Sequence, residues 1–300
     1  MEFSQFYASK IYLNPAFTGL RGDNSITTTY RNQWPAIRHA YESYFVSYDR
    51  KLKEHEAGIS IYFLNDVAGE GSLRRQSLAF IYSKQVRFSK NIYASFGLKG
   101  SYNINSINWN NLTWGDMIDA RNGFIYTTNQ PRGSNSEKHF DSGAGAIVYS
   151  DKIYGGIAIE HLNRPKFGML SLYNNPRIPI RYKIHAGGNI PLQYMPNASK
   201  INIAPQIIYT QQSESKQLIL GTYFILNKFS VGVWNRIKDS FILSAGLDND
   251  NIRFGYSFDI GTNKLMTYSG GAHEISLTYL LDYKQKEKKK KYKVISCPLF

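Results

Sequence analysis

The feature that most constrains this chain is a ladder of roughly ten-residue segments in which apolar and polar side chains alternate from near Ser25 to Tyr283. The stretch Ile252-Arg253-Phe254-Gly255-Tyr256-Ser257-Phe258-Asp259-Ile260 shows the pattern most cleanly. In a strand, successive side chains point to opposite faces, so Ile, Phe, Tyr, Phe and Ile share one face while Arg, Gly, Ser and Asp share the other. A soluble sandwich hides its apolar face in a core. A membrane barrel turns that face to lipid and lines its interior with polar groups.

Composition favours the barrel. Hydrophobic residues make up 42% of the 300 residues and aromatics 15%, with 23 Tyr and 17 Phe. That balance suits a narrow lipid-facing band bordered by aromatic girdles. No apolar run approaches the roughly 18 residues of a membrane-crossing helix, and without one only a closed barrel satisfies every backbone amide inside a bilayer. Cys297 is the single cysteine, which excludes an intrachain disulfide and a multi-cysteine metal site. The ending Cys297-Pro298-Leu299-Phe300 nominally matches a prenylation pattern, with nothing else in the chain to support that reading. The first residues lack a basic stretch followed by an apolar one, so the chain reads as a mature protein whose signal peptide is gone.

The net charge is +14, and Lys284, Lys286, Lys288, Lys289, Lys290, Lys291 and Lys293 concentrate part of it after the last strand. Helix-turn-helix, zinc and RNA-binding signatures are absent, so a nucleic-acid partner is not expected. A solvated tail, or a contact with an acidic partner or surface, is the reading we adopt. Lys288, Lys289, Lys290 and Lys291 are its candidate periplasmic contact.

Breaking the alternation at Gly, Asn, Asp and Pro clusters predicts about fourteen strands: near 24–34, 40–51, 56–64, 73–84, 90–103, 138–149, 152–162, 179–191, 199–211, 216–226, 229–237, 240–248, 251–260 and 272–283. Every second connection is compact, as at Leu52-Lys53-Glu54-His55, Ser150-Asp151 and Asn227-Lys228. The alternate set, with Asn65 to Ser72, Ile104 to Glu137, Asn163 to Ile178 and Gly261 to Gly271, is mostly longer. Outer-membrane barrels sort their connections this way, with short turns in the periplasm and long loops outside. The expected architecture is thus all-β: an antiparallel transmembrane barrel over 24–283, an N-terminal segment over 1–23 and a basic periplasmic tail over 284–300. The first segment carries Phe3, Phe6, Tyr7, Ile11, Tyr12, Leu13 and Phe17 with little charge, which predicts a lumenal plug or a rim-bound segment.

Motifs for chemistry are missing: there is no nucleophile elbow and no phosphate-binding glycine loop. His273-Glu274 begins a zinc-protease motif, but Leu277 stands where its second histidine belongs, so no metal or cofactor is expected. An enzyme is not the expected class. The connection from Ile104 to Glu137 carries Trp109, Trp114, Asp116 and Asp119, aromatics beside carboxylates that suit a protein partner or fold inward to line the barrel. Arg164, before the strand-ending Pro165, is a further candidate for the outer rim. Glu160, Arg236, Arg253 and Asp259 fall on the polar face of their strands and are expected in the lumen.

Several stretches together resemble the PorP/SprF family of outer-membrane proteins associated with type IX secretion and gliding motility in Bacteroidetes. They are Gln5-Phe6-Tyr7-Ala8, Leu13-Asn14-Pro15-Ala16-Phe17-Thr18-Gly19, Tyr30-Arg31-Asn32-Gln33-Trp34, Asn65-Asp66 and His161-Leu162-Asn163-Arg164-Pro165. Later in the chain come His185-Ala186-Gly187, Gly232-Val233-Trp234-Asn235-Arg236, Gly255-Tyr256-Ser257-Phe258-Asp259, Gly270-Gly271-Ala272-His273-Glu274-Ile275-Ser276-Leu277 and Cys297-Pro298. The resemblance implies a fourteen-stranded barrel that receives the carboxy-terminal signal domain of a secreted adhesin and holds it at the cell surface, with links to periplasmic, peptidoglycan-bound proteins. A solute channel is the alternative function for such a barrel, and a soluble all-β binding protein a third.

Overall fold

The computed structural model describes residues 2–281 apart from 23, 38–39, 53, 70–71, 130–132, 169–175, 193–200, 250 and 263–265. Seventeen strands are present among the described residues. In chain order they are β1 (Ser25–Gln33), β2 (Tyr41–Leu52), β3 (Ala57–Ala68), β4 (Leu73–Arg87), β5 (Tyr93–Ile107), β6 (Ile118–Asp119), β7 (Gly123–Phe124), β8 (Ser136–Tyr149) and β9 (Ile153–Glu160). There follow β10 (Arg181–Gly188), β11 (Ile190–Leu192), β12 (Ile201–Gln212), β13 (Ser215–Leu226), β14 (Phe229–Arg236), β15 (Ser240–Asn249), β16 (Ile252–Gly261) and β17 (Ala272–Leu280).

Each long strand is antiparallel to its neighbour, and the sheet closes where β1 pairs with β17, Ser25 opposite Leu280 and Gln33 opposite Ala272. Across the molecule β10 pairs with β9 on one side and β12 on the other. The short β11 continues along β12, while β6 and β7 form a separate hairpin within a loop. The result is a closed barrel of fourteen strands. Closure removes every free sheet edge, which is what allows a sheet to stand in lipid.

The burial pattern fixes which face is which. Along β4, Ser77, Ala79, Ile81 and Ser83 are buried, while Leu78, Phe80 and Tyr82 are exposed, Phe80 to 57%. On β5 the outward Leu98 is 66% exposed, and the inward Lys99 beside it is buried. The same reversal runs round the wall through Ile157, Ile184, Val233, Leu243, Phe254 and Leu277, all exposed. A water-soluble monomer rarely leaves a contiguous apolar patch beyond a few hundred Å². At about 25 cal/mol per Å², this belt is stable only against hydrocarbon.

The start of β1 and the end of β17 lie at one rim, the chain-end rim, with the turns after β2, β4, β8, β13 and β15; the longer connections, 108–135 and 161–180, lie at the other. The strands outrun expectation at several points. Asn65 and Asp66 were expected to open a loop, but β3 continues through them, its ladder with β4 placing Asn65 opposite Gln76 and Asp66 opposite Arg75. The connection to β4 therefore shrinks to residues 69–72. The short turns use left-handed backbone at Ser213, Asn227 and Lys238.

Candidate functional site: an occupied lumen and a loop-bearing rim

The segment before β1 runs up through the barrel. Its Leu13-Asn14-Pro15-Ala16-Phe17 sequence makes two short helical turns, Lys10–Leu13 and Pro15–Phe17. Asn14 sits at the junction. Its side-chain oxygen accepts from the Ala16 amide at 2.9 Å, capping the second turn. Its Nδ2 reaches the Ile157 carbonyl at 2.9 Å, the Ala146 carbonyl at 3.3 Å and His185 Nε2 at 2.9 Å. One side chain thus ties the turn to three strands.

Hydroxyls from the wall complete the seat. Ser95 Oγ donates to the Ala16 carbonyl and Ser83 Oγ to the Thr18 carbonyl, both at 2.7 Å. The Gly19 amide donates to Asp49 at 2.9 Å. Glycines on the inward face make the room. A Cβ at Gly58 would sit 2.5 Å from the Thr18 carbonyl oxygen, and side chains at Gly145 and Gly255 would strike Asn14 and Tyr7. Aromatic contacts fill the remainder: Phe17 stacks on His185 at 5.3 Å, Phe3 meets Phe45 edge-on at 5.3 Å, and Phe6 lies 4.9 Å from Trp234.

Near the loop-bearing rim the segment ends in an ionic cluster. Glu274 accepts from the Ser4 and Gln5 amides at 2.8 and 2.9 Å and pairs with Arg31 at 3.2 Å. Arg31 also pairs with Asp259 at 2.8 Å, Ser4 Oγ donates to Asp259 at 2.7 Å, and Arg236 approaches the same carboxylate at 3.5 Å. A second cluster surrounds Glu160, with Lys99 at 2.8 Å, Lys183 at 3.2 Å and Arg181 at 3.6 Å. Lys183 also donates to the Tyr12 carbonyl at 3.2 Å and lies 4.9 Å over its ring. Nearby, His161 Nδ1 stands 2.9 Å from Asp141. Buried charges persist only where partners and hydrogen bonds compensate lost hydration, and Arg31, Glu274, Asp259 and Glu160 each meet two or more partners.

Of the residues singled out from sequence, Glu160, Arg236 and Asp259 are buried in these clusters. Arg253 is partly buried on the inward side near the chain-end rim, 2.6 Å from Asp248. Arg31, Glu274, Asn14 and His185 were given no role from sequence, although they lie in the stretches that carry the family resemblance. Lys99 and Lys183 were not singled out, and their signal was parity alone: each occupies a polar-face position in its strand.

At the loop-bearing rim, Trp109 takes the inward of its two expected positions. It is 6% exposed, packed on Ile107 and stacked with Trp114 at 6.2 Å, because burying two indoles together is worth more than wetting them. Trp114 is half-buried. Asp116 accepts from the Thr128 hydroxyl and the Asn129 amide at 2.9 Å each. Asp119 accepts from the Arg121 amide at 2.9 Å, the Asn122 amide at 2.8 Å and the Tyr126 hydroxyl at 3.2 Å. Those donors hold its carboxyl below the usual range, the Arg121 amide first. Both acids shape the loop, leaving Ile118, Phe124, Ile125 and Tyr126 as its exposed apolar surface. Arg164 is exposed in left-handed backbone. Lys288, Lys289, Lys290 and Lys291 lie outside the described residues.

A closed barrel with an apolar outer belt and a polar, self-filled interior defines an outer-membrane β-barrel protein. The family model described as type IX secretion system membrane protein PorP/SprF matches residues 1–279, and the chain belongs to that family. No curated protein matches it by sequence. Among solved structures it is similar to CdiB from Acinetobacter baumannii, with TM-score 0.48 and 9% identity, covering 86% of this chain and 60% of that one. The Ralstonia pickettii toluene transporter TbuX follows at TM-score 0.45 and 9% identity, covering 91% and 92%. The KdgM porin in complex with disordered oligogalacturonate gives 0.40 and 8%, covering 85% and 98%.

Proposed function

We propose that this outer-membrane component of the type IX secretion system is a non-enzymatic anchor. It receives a secreted adhesin, or its carboxy-terminal signal domain, at the loop-bearing rim and holds it at the cell surface. The observation that carries the reading is the occupied lumen. Residues 2–22 are fixed to the wall by the Asn14, Glu274 and Lys183 contacts, which favours a binding surface at the barrel's end over passage through its centre. The exposed apolar stretch from Ile118 to Tyr126, with Arg164 on the neighbouring connection, is the candidate cargo surface. The chain-end rim and the lysines at 288–291 are the candidate contact with periplasmic or peptidoglycan-linked partners.

The test is affinity purification of the tagged protein from envelopes in mild detergent, with mass spectrometry of what accompanies it. We expect a secreted protein carrying a carboxy-terminal signal domain in near-equal amount, and its loss when residues 110–135 are trimmed from an otherwise folded barrel. Recovery of the barrel alone, together with single-channel conductance in planar bilayers, would replace the anchor with a solute channel.

A further inference from the structure

The β4–β5 hairpin is longer than its neighbour at the chain-end rim. The ladder between β3 and β4 ends at Ala57 opposite Lys84, whereas β4 and β5 pair on through Val86–Ala94 and Arg87–Tyr93. Gln85 still donates its amide to the Glu56 carbonyl at 2.8 Å and β8 accompanies β5 down to Tyr93 opposite Tyr149, so residues 86–92 stand beyond the β3 edge of the wall. The turn is well formed: the Phe88 amide donates to the Ile92 carbonyl at 2.9 Å, and Arg87 donates to the Ser89 and Lys90 carbonyls at 3.0 and 3.2 Å while lying 5.8 Å over Tyr93.

The composition of this projection is unusual. The outward alternation Leu78, Phe80, Tyr82 continues through Lys84 and Val86 to Phe88, and on the returning strand Ile92 and Phe96 are exposed with the buried Ala94 between them. Phe88 is 71% exposed, and Val86 and Ile92 are exposed as well. Arg87 and Lys90 are exposed on the hairpin itself, and Lys152 and Ile153 on the next turn. Glu54, Glu56 and Asp151 are the acids on this stretch of rim, set against Arg50, Lys84, Arg87, Lys90 and Lys152.

From this we infer that the β4–β5 tip is a lipid-headgroup anchor, with Phe88, Val86 and Ile92 in the interfacial layer and Lys84, Lys90 and Lys152 against the phosphates of anionic phospholipids in the leaflet on the chain-end side. Lipid is the occupant because the apolar face of the tip is continuous with the belt below it, which already faces hydrocarbon. Aromatic and basic side chains at this depth place their apolar bodies inward and their charges among the headgroups.

The experiment uses the full chain with Cys297→Ser and Phe88→Cys, labelled with an environment-sensitive nitrobenzoxadiazole, in vesicles of phosphatidylethanolamine with or without phosphatidylglycerol. Ile92→Cys serves as a second position, and gel mobility before and after heating verifies folding. A blue-shifted emission, quenched by lipids spin-labelled near the headgroup and shielded from aqueous iodide, is expected. Adding Lys84→Gln or Lys90→Gln should lower the preference for phosphatidylglycerol about five-fold per lysine, the effect of one cation at an anionic surface. Free iodide quenching at both positions, with no response to lipid composition, would overturn the inference. So would a label shielded only when envelope proteins are added, which would make the tip a protein contact.

Discussion

Gly97 of β5 touches Ala16 of the lumenal segment: a Cβ built on the glycine would lie 2.5 Å from the Ala16 amide nitrogen. The backbone there is held by Ser95 and by the cap from Asn14, so it cannot retreat without breaking those bonds. Replacing Gly97 with alanine should therefore unseat the segment, at a cost of about 1–3 kcal/mol for an overpacked site. The barrel ladder itself stays intact. We expect measurable single-channel conductance and proteolysis within residues 2–22, both absent from the wild type. A Gly97→Ala barrel as silent and protease-resistant as the parent would show that the contact does not hold the segment in place, and one cleaved within residues 2–22 yet silent would show that the segment does not seal the lumen.

Glu274 carries the upper end of the same segment. Its carboxylate accepts from two backbone amides and an arginine in a fully buried position. Glu274→Ala leaves Arg31 with Asp259 and the Ser4 hydroxyl and orphans the amides of Ser4 and Gln5. Removing one partner of a buried ion pair costs about 3–5 kcal/mol, so the midpoint of heat-induced mobility change on gels should fall clearly. Glu274→Gln keeps the acceptor oxygen and should fall less. Equal effects of the two variants would mean that charge, rather than hydrogen bonding, dominates.

Phe80 lies midway along β4 and faces outward. If the belt contacts hydrocarbon, Phe80→Arg should destabilise the barrel by about 2–4 kcal/mol, the cost of an arginine at the bilayer midplane. The check is reversible folding into vesicles across a urea series. A soluble sandwich reading predicts no penalty, because there the arginine would meet water.

The sequence made the wall legible because the period of two is local: the Ile252 to Ile260 alternation predicts its own faces without knowledge of any neighbour. It fell short wherever a partner strand decides the outcome. Asp66 reads as a turn residue until Arg75 is placed opposite it. The lumenal clusters were half visible for the same reason. Glu160, Arg236 and Asp259 announce an inward face by parity, but nothing local says that Lys99, some 60 residues earlier in the chain, meets Glu160. Nor does anything local say that Ser4 bridges to strands near the other end. Trp109 was left open between a partner anchor and an inward fold, since nothing local says that it stacks on Trp114.

The loop between β5 and β8 depends on Asp119. Because the Arg121 and Asn122 amides and the Tyr126 hydroxyl lower its pKa in the folded loop, ionised Asp119 favours the ordered form. A depressed carboxyl contributes order that is fully present above its ordinary value of about 4 and is lost as pH falls through the lowered folded value. The Arg121 and Asn122 amide resonances should therefore hold steady from neutral pH to the ordinary carboxylate range and shift only below it. In Asp119→Ala that step should vanish. The hairpin of β6 and β7 should also open, exposing the bond after Arg121 to trypsin several-fold faster than in the parent. Unchanged cleavage would assign the loop's order to the Trp109–Trp114 stack and the Asp116 contacts instead, and would move any binding role of the Ile118 to Tyr126 surface onto that foot.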